Sequence, residues 1–338
     1  MADEKAPQLE PGPFELQPSP AEAPTKRKRA YAPRNKVTPT IDSRLVEEAR
    51  AIEAEDAFKA GMTGYVGRTL VQATLPYKEP PRTLEVWDRT VGETSLIIKQ
   101  GHAKNKAGEW ERIGFPYGSY PRLMLAWIGA EVVRTKERNI VLGDSLSAFM
   151  SELGIGEHRS GGKNGARTRL RDMMLRLFLA DISVQSGGGS TEDNLRVRKL
   201  DLVENADLWW SNANPGQAGL WQSTILLGEK FFNETKANPV PVDLRALRGL
   251  RSSPMALDLY CWMTYRNYSL ARPTTIPWEA LHSQFGSETK TLKKFRENFL
   301  PALKKVLTVY PQAKATPKTA GLLMEPSKTS VPRLVKDW

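Results

Sequence analysis

Few side chains in this chain could perform covalent or proton-transfer chemistry. His102, His158 and His282 are its only histidines, and none belongs to a His-x-His or His-x-x-x-His pair able to hold a metal. Each is expected to be a loop or core histidine. Cys261 stands alone between Tyr260 and Trp262, which excludes an intrachain disulfide and a Cys-rich zinc site and points to a reducing compartment. Its expected place is a buried apolar one. Tyr117, Tyr120, Tyr260 and Tyr265 have no paired histidines beside them, so a nickase or relaxase built on a tyrosine nucleophile lacks its metal ligands. Asp181 and Asp193 read as turn residues rather than nuclease carboxylates. The loop Gly161-Gly-Lys-Asn-Gly suggests a phosphate cradle, yet the Gly-x-x-x-x-Gly-Lys-Ser/Thr spacing is missing and no apolar strand runs into it. The expectation is a protein that is not an enzyme, with no cofactor and no metal.

What remains is polyanion binding. From Glu157 to Ala180 a glycine-rich basic loop passes into a segment where Leu170, Met173, Met174, Leu177 and Phe178 recur at helical spacing, leaving Arg167, Arg169, Arg171 and Arg176 off that stripe. A helix start rich in glycine amides, with Lys163 and Asn164, suits a DNA phosphate. A second basic helix is expected over Glu288 to Lys305, with Leu292, Phe295, Phe299 and Leu303 inward. There Ser287, Thr289, Lys290, Lys293, Lys294 and Arg296 are the candidate contacts. Arg can engage a guanine edge with two donors, whereas Lys acts mainly as a point charge on phosphate. The net charge of +11 over 338 residues favours nucleic acid as partner. Residues 157–180 and 287–305 each carry a balance of +4, so two short segments hold most of the excess.

The elements that must position these cations can be read in order. Residues 1–40 are Pro-, Ala-, Glu- and Lys-rich and are expected to be a disordered basic tail containing Lys26-Arg27-Lys28-Arg29. Ile41 to Ala60 should be helical, with the segment 41–82 serving as helix and linker. Strands are expected over Leu84 to Trp87 and Thr94 to Lys99, followed by a polar loop from Gly101 to Glu109. Ser119 should cap a core helix with Pro121 in its first turn. Asn139 to Leu142 reads as a strand, and Asp144 as the cap of a short helix bearing Leu146, Phe149, Met150 and Leu153. After the first basic helix come Ile182 to Gln185, a tip at Gly187 to Ser190, and Leu195 to Leu202. Helix, turn, basic helix and hairpin is the order of a winged helix-turn-helix.

Past the Asn212-Ala-Asn-Pro-Gly linker the plan repeats: a strand over Leu220 to Leu227, a short helix over Glu229 to Thr235, and a core helix over Ser253 to Tyr268. Shifted by 132 positions, Leu146, Phe149, Leu153 and Gly154 fall on Trp278, Leu281, Phe285 and Gly286. A diverged internal duplication is expected, with strands after the second basic helix at Val306 to Tyr310 and Gly321 to Met324. The fold class is therefore α+β: two tandem winged helix-turn-helix domains, 83–210 and 211–338, behind a disordered tail. No apolar run approaches the roughly 20 residues needed to span a bilayer, so a cytoplasmic protein without a membrane partner is expected.

Gly114-Phe-Pro-Tyr-Gly-Ser-Tyr-Pro-Arg-Leu-Met-Leu-Ala-Trp and Val141-Leu-Gly-Asp-Ser-Leu-Ser-Ala-Phe-Met-Ser-Glu-Leu-Gly, followed by the Ser160-Gly-Gly loop and the Arg-rich helix, resemble plasmid-encoded RepA-type replication initiators of bacteria. The likeness is clearest from about Leu84 to Asp207. The resemblance implies binding to repeated double-stranded sequences (iterons) at a plasmid origin, opening of the duplex nearby, and recruitment of the host initiator and replicative helicase. It also implies homodimer formation through the first domain when the protein represses its own gene. An operator-binding transcriptional repressor is the alternative, and it differs in target rather than chemistry. A scaffold using Trp209, Trp210 and Trp221 is a third reading, in which those aromatics would be more than core or interface residues.

Overall fold

A computed structural model describes residues 42–105, 107–143, 145–155, 165–186, 196–208, 223–286 and 289–332. In chain order these form α1 (Ser43–Ala54), β1 (Thr63–Gly67), α2 (Arg68–Gln72), β2 (Val86–Val91), β3 (Thr94–Lys99), β4 (His102–Lys104), β5 (Trp110–Arg112), α3 (Ser119–Thr135), β6 (Asn139–Val141), α4 (Leu146–Glu152), α5 (Ala166–Phe178), β7 (Asp181–Ser186), β8 (Arg196–Lys199) and β9 (Val203–Asp207). Then follow β10 (Thr224–Leu227), α6 (Glu229–Ala237), β11 (Pro239–Asp243), α7 (Leu244–Leu250), α8 (Pro254–Ser269), β12 (Thr274–Pro277), α9 (Trp278–Phe285), α10 (Leu292–Val309), β13 (Lys314–Pro317) and β14 (Gly321–Glu325). The amino-terminal tail, the wing tip, the Asn212 linker with the 210/211 boundary, His158, and Trp209, Trp210 and Trp221 lie outside the described residues.

Two helices form the centre because their sequences are apolar around most of the circumference. On α3, Leu123 to Ile128 and Val132 are all buried; on α8, so are Ala256 to Thr264. The α3 start differs from the expectation: Gly118, at φ 75°, is the cap, and Ser119 lies inside the helix with no side-chain capping bond. Gly129 explains how closely α3 passes β1, since a Cβ there would overlap the Tyr65 carbonyl oxygen. Ser253 caps α8 by accepting from the Ala256 amide at 3.3 Å, with Pro254 in the first turn where its missing N–H costs nothing.

All described strand pairs are antiparallel, giving a mixed helix and antiparallel-sheet protein. The strand orders are β2-β3-β7-β8, β4-β5, β6-β10-β9, β1-β11 and β12-β14-β13. Elements distant in sequence interleave: β1 pairs with β11, α1 packs on α7, and β10 lies between β6 and β9 with Ile225 opposite Ile140. Both isoleucines are buried, so this three-stranded sheet joins chain from either side of the 210/211 boundary.

Three local expectations are corrected. Val306 to Tyr310 is not a strand; Val306 and Val309 continue the inward face of α10, and the hairpin partner of β14 is β13. The polar stretch from Gly101 to Glu109 contains β4, which closes a small hairpin with β5. Ser145, not Asp144, caps α4 by accepting from the Ala148 amide at 3.0 Å, and Asp144 lies outside the described residues.

Candidate nucleic-acid interface

Helix α5 is seated by the apolar stripe that its spacing predicts: Leu170, Met173, Met174, Leu177 and Phe178 are buried. Arg167, Arg169 and Arg171 are exposed on the rest of its first half. Arg167 also donates to the Ser147 hydroxyl, tying the start of α5 to α4. Arg176 departs from the expected cationic surface. It is 3% exposed, paired with Glu79 at 2.6 Å and Asp172 at 2.9 Å, and lies 5.4 Å from the centre of the Tyr117 ring. Seven residues after the exposed Arg169, this position lies on nearly the same side of α5, but there Glu79 and Tyr117 cover it and two carboxylates compensate its burial, so it offers no surface to a ligand. Lys163 and Asn164 lie outside the described residues.

Helix α10 follows the same logic with a different detail. Thr291 caps it by accepting from the Lys294 amide at 3.3 Å, and Phe295, Phe299, Leu303 and Val306 face inward. Lys290, Lys293 and Lys294 are exposed, with Lys294 also 3.0 Å from Glu297 on the solvent side. Arg296 is half-buried, its guanidinium 4.8 Å above the Trp278 ring. Trp278 in turn donates through Nε1 to the Lys318 carbonyl at 3.0 Å and meets Phe299 edge-on at 5.6 Å. One indole therefore fixes α9, α10 and the β13–β14 turn together. Thr289 is spent on the turn before α10: its hydroxyl donates to Gly286 at 3.0 Å, and its carbonyl lies 2.8 Å from His282 Nε2. Ser287 lies outside the described residues.

The structure adds cations that helix reasoning missed. All of Arg196, Val197, Arg198 and Lys199 on β8 are exposed, beside α5 in the chain; Arg198 pairs with Glu234 at 3.5 Å, and Lys199 lies 4.0 Å from Asp181. Lys314 and Lys318 are exposed on the β13–β14 hairpin. The signal was present in the alternating Arg196-Val-Arg-Lys run, which suits an edge strand. Two titratable side chains away from these faces are buried. The Cys261 thiol is buried and pushed far up by desolvation, and the Tyr260 hydroxyl, also raised by burial, accepts from the Asp243 amide at 2.9 Å. Among the described residues, no group of three His, Cys, Asp or Glu side chains could hold a metal, and no helix is long and apolar enough to cross a membrane.

Helices α5 and α10 are each buried on one side, carry exposed cations near their starts, and are followed by a hairpin. Residues 115–280 match the family model described as plasmid encoded RepA protein, a match that supports a RepA-type plasmid replication protein. The match runs from the residues leading into α3 to the first residues of α9; it includes α5 and ends before α10. A crystal structure of domain 2 and domain 3 of RctB, in selenomethionine form, has a similar fold: the TM-score is 0.50 at 11% identity, covering 78% of this chain and all of that one. No curated protein sequence matches the chain.

Proposed function

We propose that the protein initiates plasmid replication as a sequence-specific double-stranded DNA-binding protein that engages repeated origin sites through α5 and α10. The observation that carries this is the repeated placement of exposed cations at the start of a helix: Arg167, Arg169 and Arg171 on α5, and Lys290, Lys293 and Lys294 at α10. Side chains near the start of a recognition helix are the ones that reach base edges and phosphates. The order β12-β14-β13 behind α9 and α10 supports a winged-helix module in 211–338. In 83–210 the same element order recurs, but β6 pairs with β10 instead of its own hairpin. Opening of an adjacent duplex, recruitment of host initiator and helicase in the cytoplasm, and a dimer through the first module complete the proposal.

Two linked helices reach major-groove faces about one turn apart, so each site should cover on the order of 20 base pairs. Hydroxyl-radical footprinting on origin DNA tests this. Two protected groove segments about 10 base pairs apart are expected; protection of one segment only would overturn engagement by both helices.

A further inference from the structure

The β4–β5 hairpin belongs to neither basic helix and precedes both in the chain. Its register places His102 opposite Arg112 and Lys104 opposite Trp110, with Ala103 opposite Glu111 between them. Alternation along a strand puts His102, Lys104, Trp110 and Arg112 on one face and Ala103 and Glu111 on the other. Trp110 is 70% exposed, the most exposed large apolar side chain among the described residues. The Lys104 ammonium lies 5.5 Å from its ring centre, and Arg112 lies 3.0 Å from Glu85 at the base. One face is thus an uncovered indole among cations.

The hairpin is also firmly mounted. Gln100, just before β4, is buried and donates to the Arg82 carbonyl at 3.0 Å. The Ile113 amide donates to the Gly101 carbonyl at 3.1 Å, closing the base. A Cβ on Gly101 would collide with the Leu179 backbone, and one on Gly114 would lie 2.7 Å from Arg176 Nη1. Both ends of the hairpin therefore rest against the last turn of α5, away from the exposed arginines at its start.

We propose that this hairpin is a stacking platform for an unpaired DNA base, with Trp110 as the stacking ring and Lys104 and Arg112 as contacts to the flanking phosphates. An exposed aromatic ring with cations beside it is the combination that holds single strands, because every base has a π-face and every linkage a charge. A protein partner would be expected to bury a larger apolar surface, and no other large apolar side chain of the hairpin is exposed beside Trp110. The assignment rests on the reading of DNA as the partner, and it adds a second strand state to it.

The test uses the full chain and fluorescence anisotropy with three probes: a labelled oligothymidylate, the RNA of matching sequence, and a duplex carrying the origin repeats. Trp110→Ala should weaken oligothymidylate binding on the order of tenfold, the cost of one lost stack. Trp110→Phe should recover most of it, Lys104→Ala should lose less, and duplex affinity should hold in all three. An unchanged Trp110→Ala affinity for the single strand overturns the platform, as does a wild type that binds the duplex but not the single strand. Trp110-dependent binding of the RNA alone, or a change in self-association on Trp110→Ala, also overturns it. Single-strand binding that needs Trp110, in a protein that ignores the duplex, would instead sink the recognition-helix reading and leave the platform standing.

Discussion

Arg122 on α3 and Asp258 on α8 form a two-pronged ion pair inside the protein, Nε to Oδ1 at 2.7 Å and Nη2 to Oδ2 at 2.8 Å. The other guanidinium hydrogens reach the carbonyls of Leu75 at 2.6 Å, Pro76 at 3.2 Å and Gly118 at 2.6 Å. All five donors are thereby used, which is the condition under which a buried charge is tolerated. Burial alone would lower the Arg122 pKa, but the charge and hydrogen bonds of Asp258 outweigh it and hold the value above normal. Asp258→Ala leaves the cation without its counter-charge, and should cost about 3–5 kcal/mol in urea denaturation. A loss below about 1 kcal/mol would show that the pair does not brace the two central helices.

Arg176 and Arg167 sit on one helix and should behave oppositely. Arg176→Ala removes the partner of Glu79 and Asp172 and should cost about 2 kcal/mol of stability, while DNA affinity per folded molecule stays near wild type. Arg167→Ala should leave the melting temperature almost unchanged and weaken duplex binding. Calorimetric melting together with anisotropy on the same preparations checks both; stronger DNA loss from the Arg176 variant would contradict the placement.

Acid should release one of these contacts. Burial pushes the Glu79 carboxyl upward, but its hydrogen bond and charge contact with Arg176 outweigh that and hold it below the usual carboxylate range. A depressed folded value means the unfolded chain binds the proton first, so this stabilisation is full above the unfolded carboxylate range near 4.3 and is lost as pH falls through the folded value. Glu79→Gln should therefore show a shallower fall in melting temperature below about pH 4 than wild type. Superimposable curves would mean that the contact contributes nothing.

Lys293 and Lys294 together should carry a measurable share of the salt dependence. Each phosphate contact adds about 0.9 to the slope of log affinity against log salt, so the double Ala variant should lose about 1.8 if both lysines touch phosphate. Loss of the exposed Lys294 pair with Glu297 should barely alter folding stability. An unchanged slope would remove the start of α10 from the binding surface.

Periodicity in the sequence revealed whatever one helix or hairpin decides by itself. Leu170 to Phe178 and Phe295 to Leu303 declared their buried sides, and the offset of 132 brought α4 onto α9. It could not reveal what depends on distant chain. Nothing local in Thr63 to Gly67 announces that it needs Pro239 to Asp243 as a partner. Arg176 looked exposed because Glu79, the partner that joins Asp172 in neutralising it, lies 97 positions away. Thr289 and Arg296 were sorted by charge and polarity alone, whereas the His282 ring and the Trp278 indole decide where they point. Val306 to Tyr310 looked like a strand because β-branched residues favour sheets, yet the burial available against α8 extended the helix through Val309.

The position of β10 has a consequence for how this chain is made. β6 emerges from the ribosome well before Thr224 to Leu227, so during synthesis it carries a bare hydrogen-bonding edge that only later residues can cover. A chain ending before that point is therefore expected to leave this strand edge open to pairing with other chains.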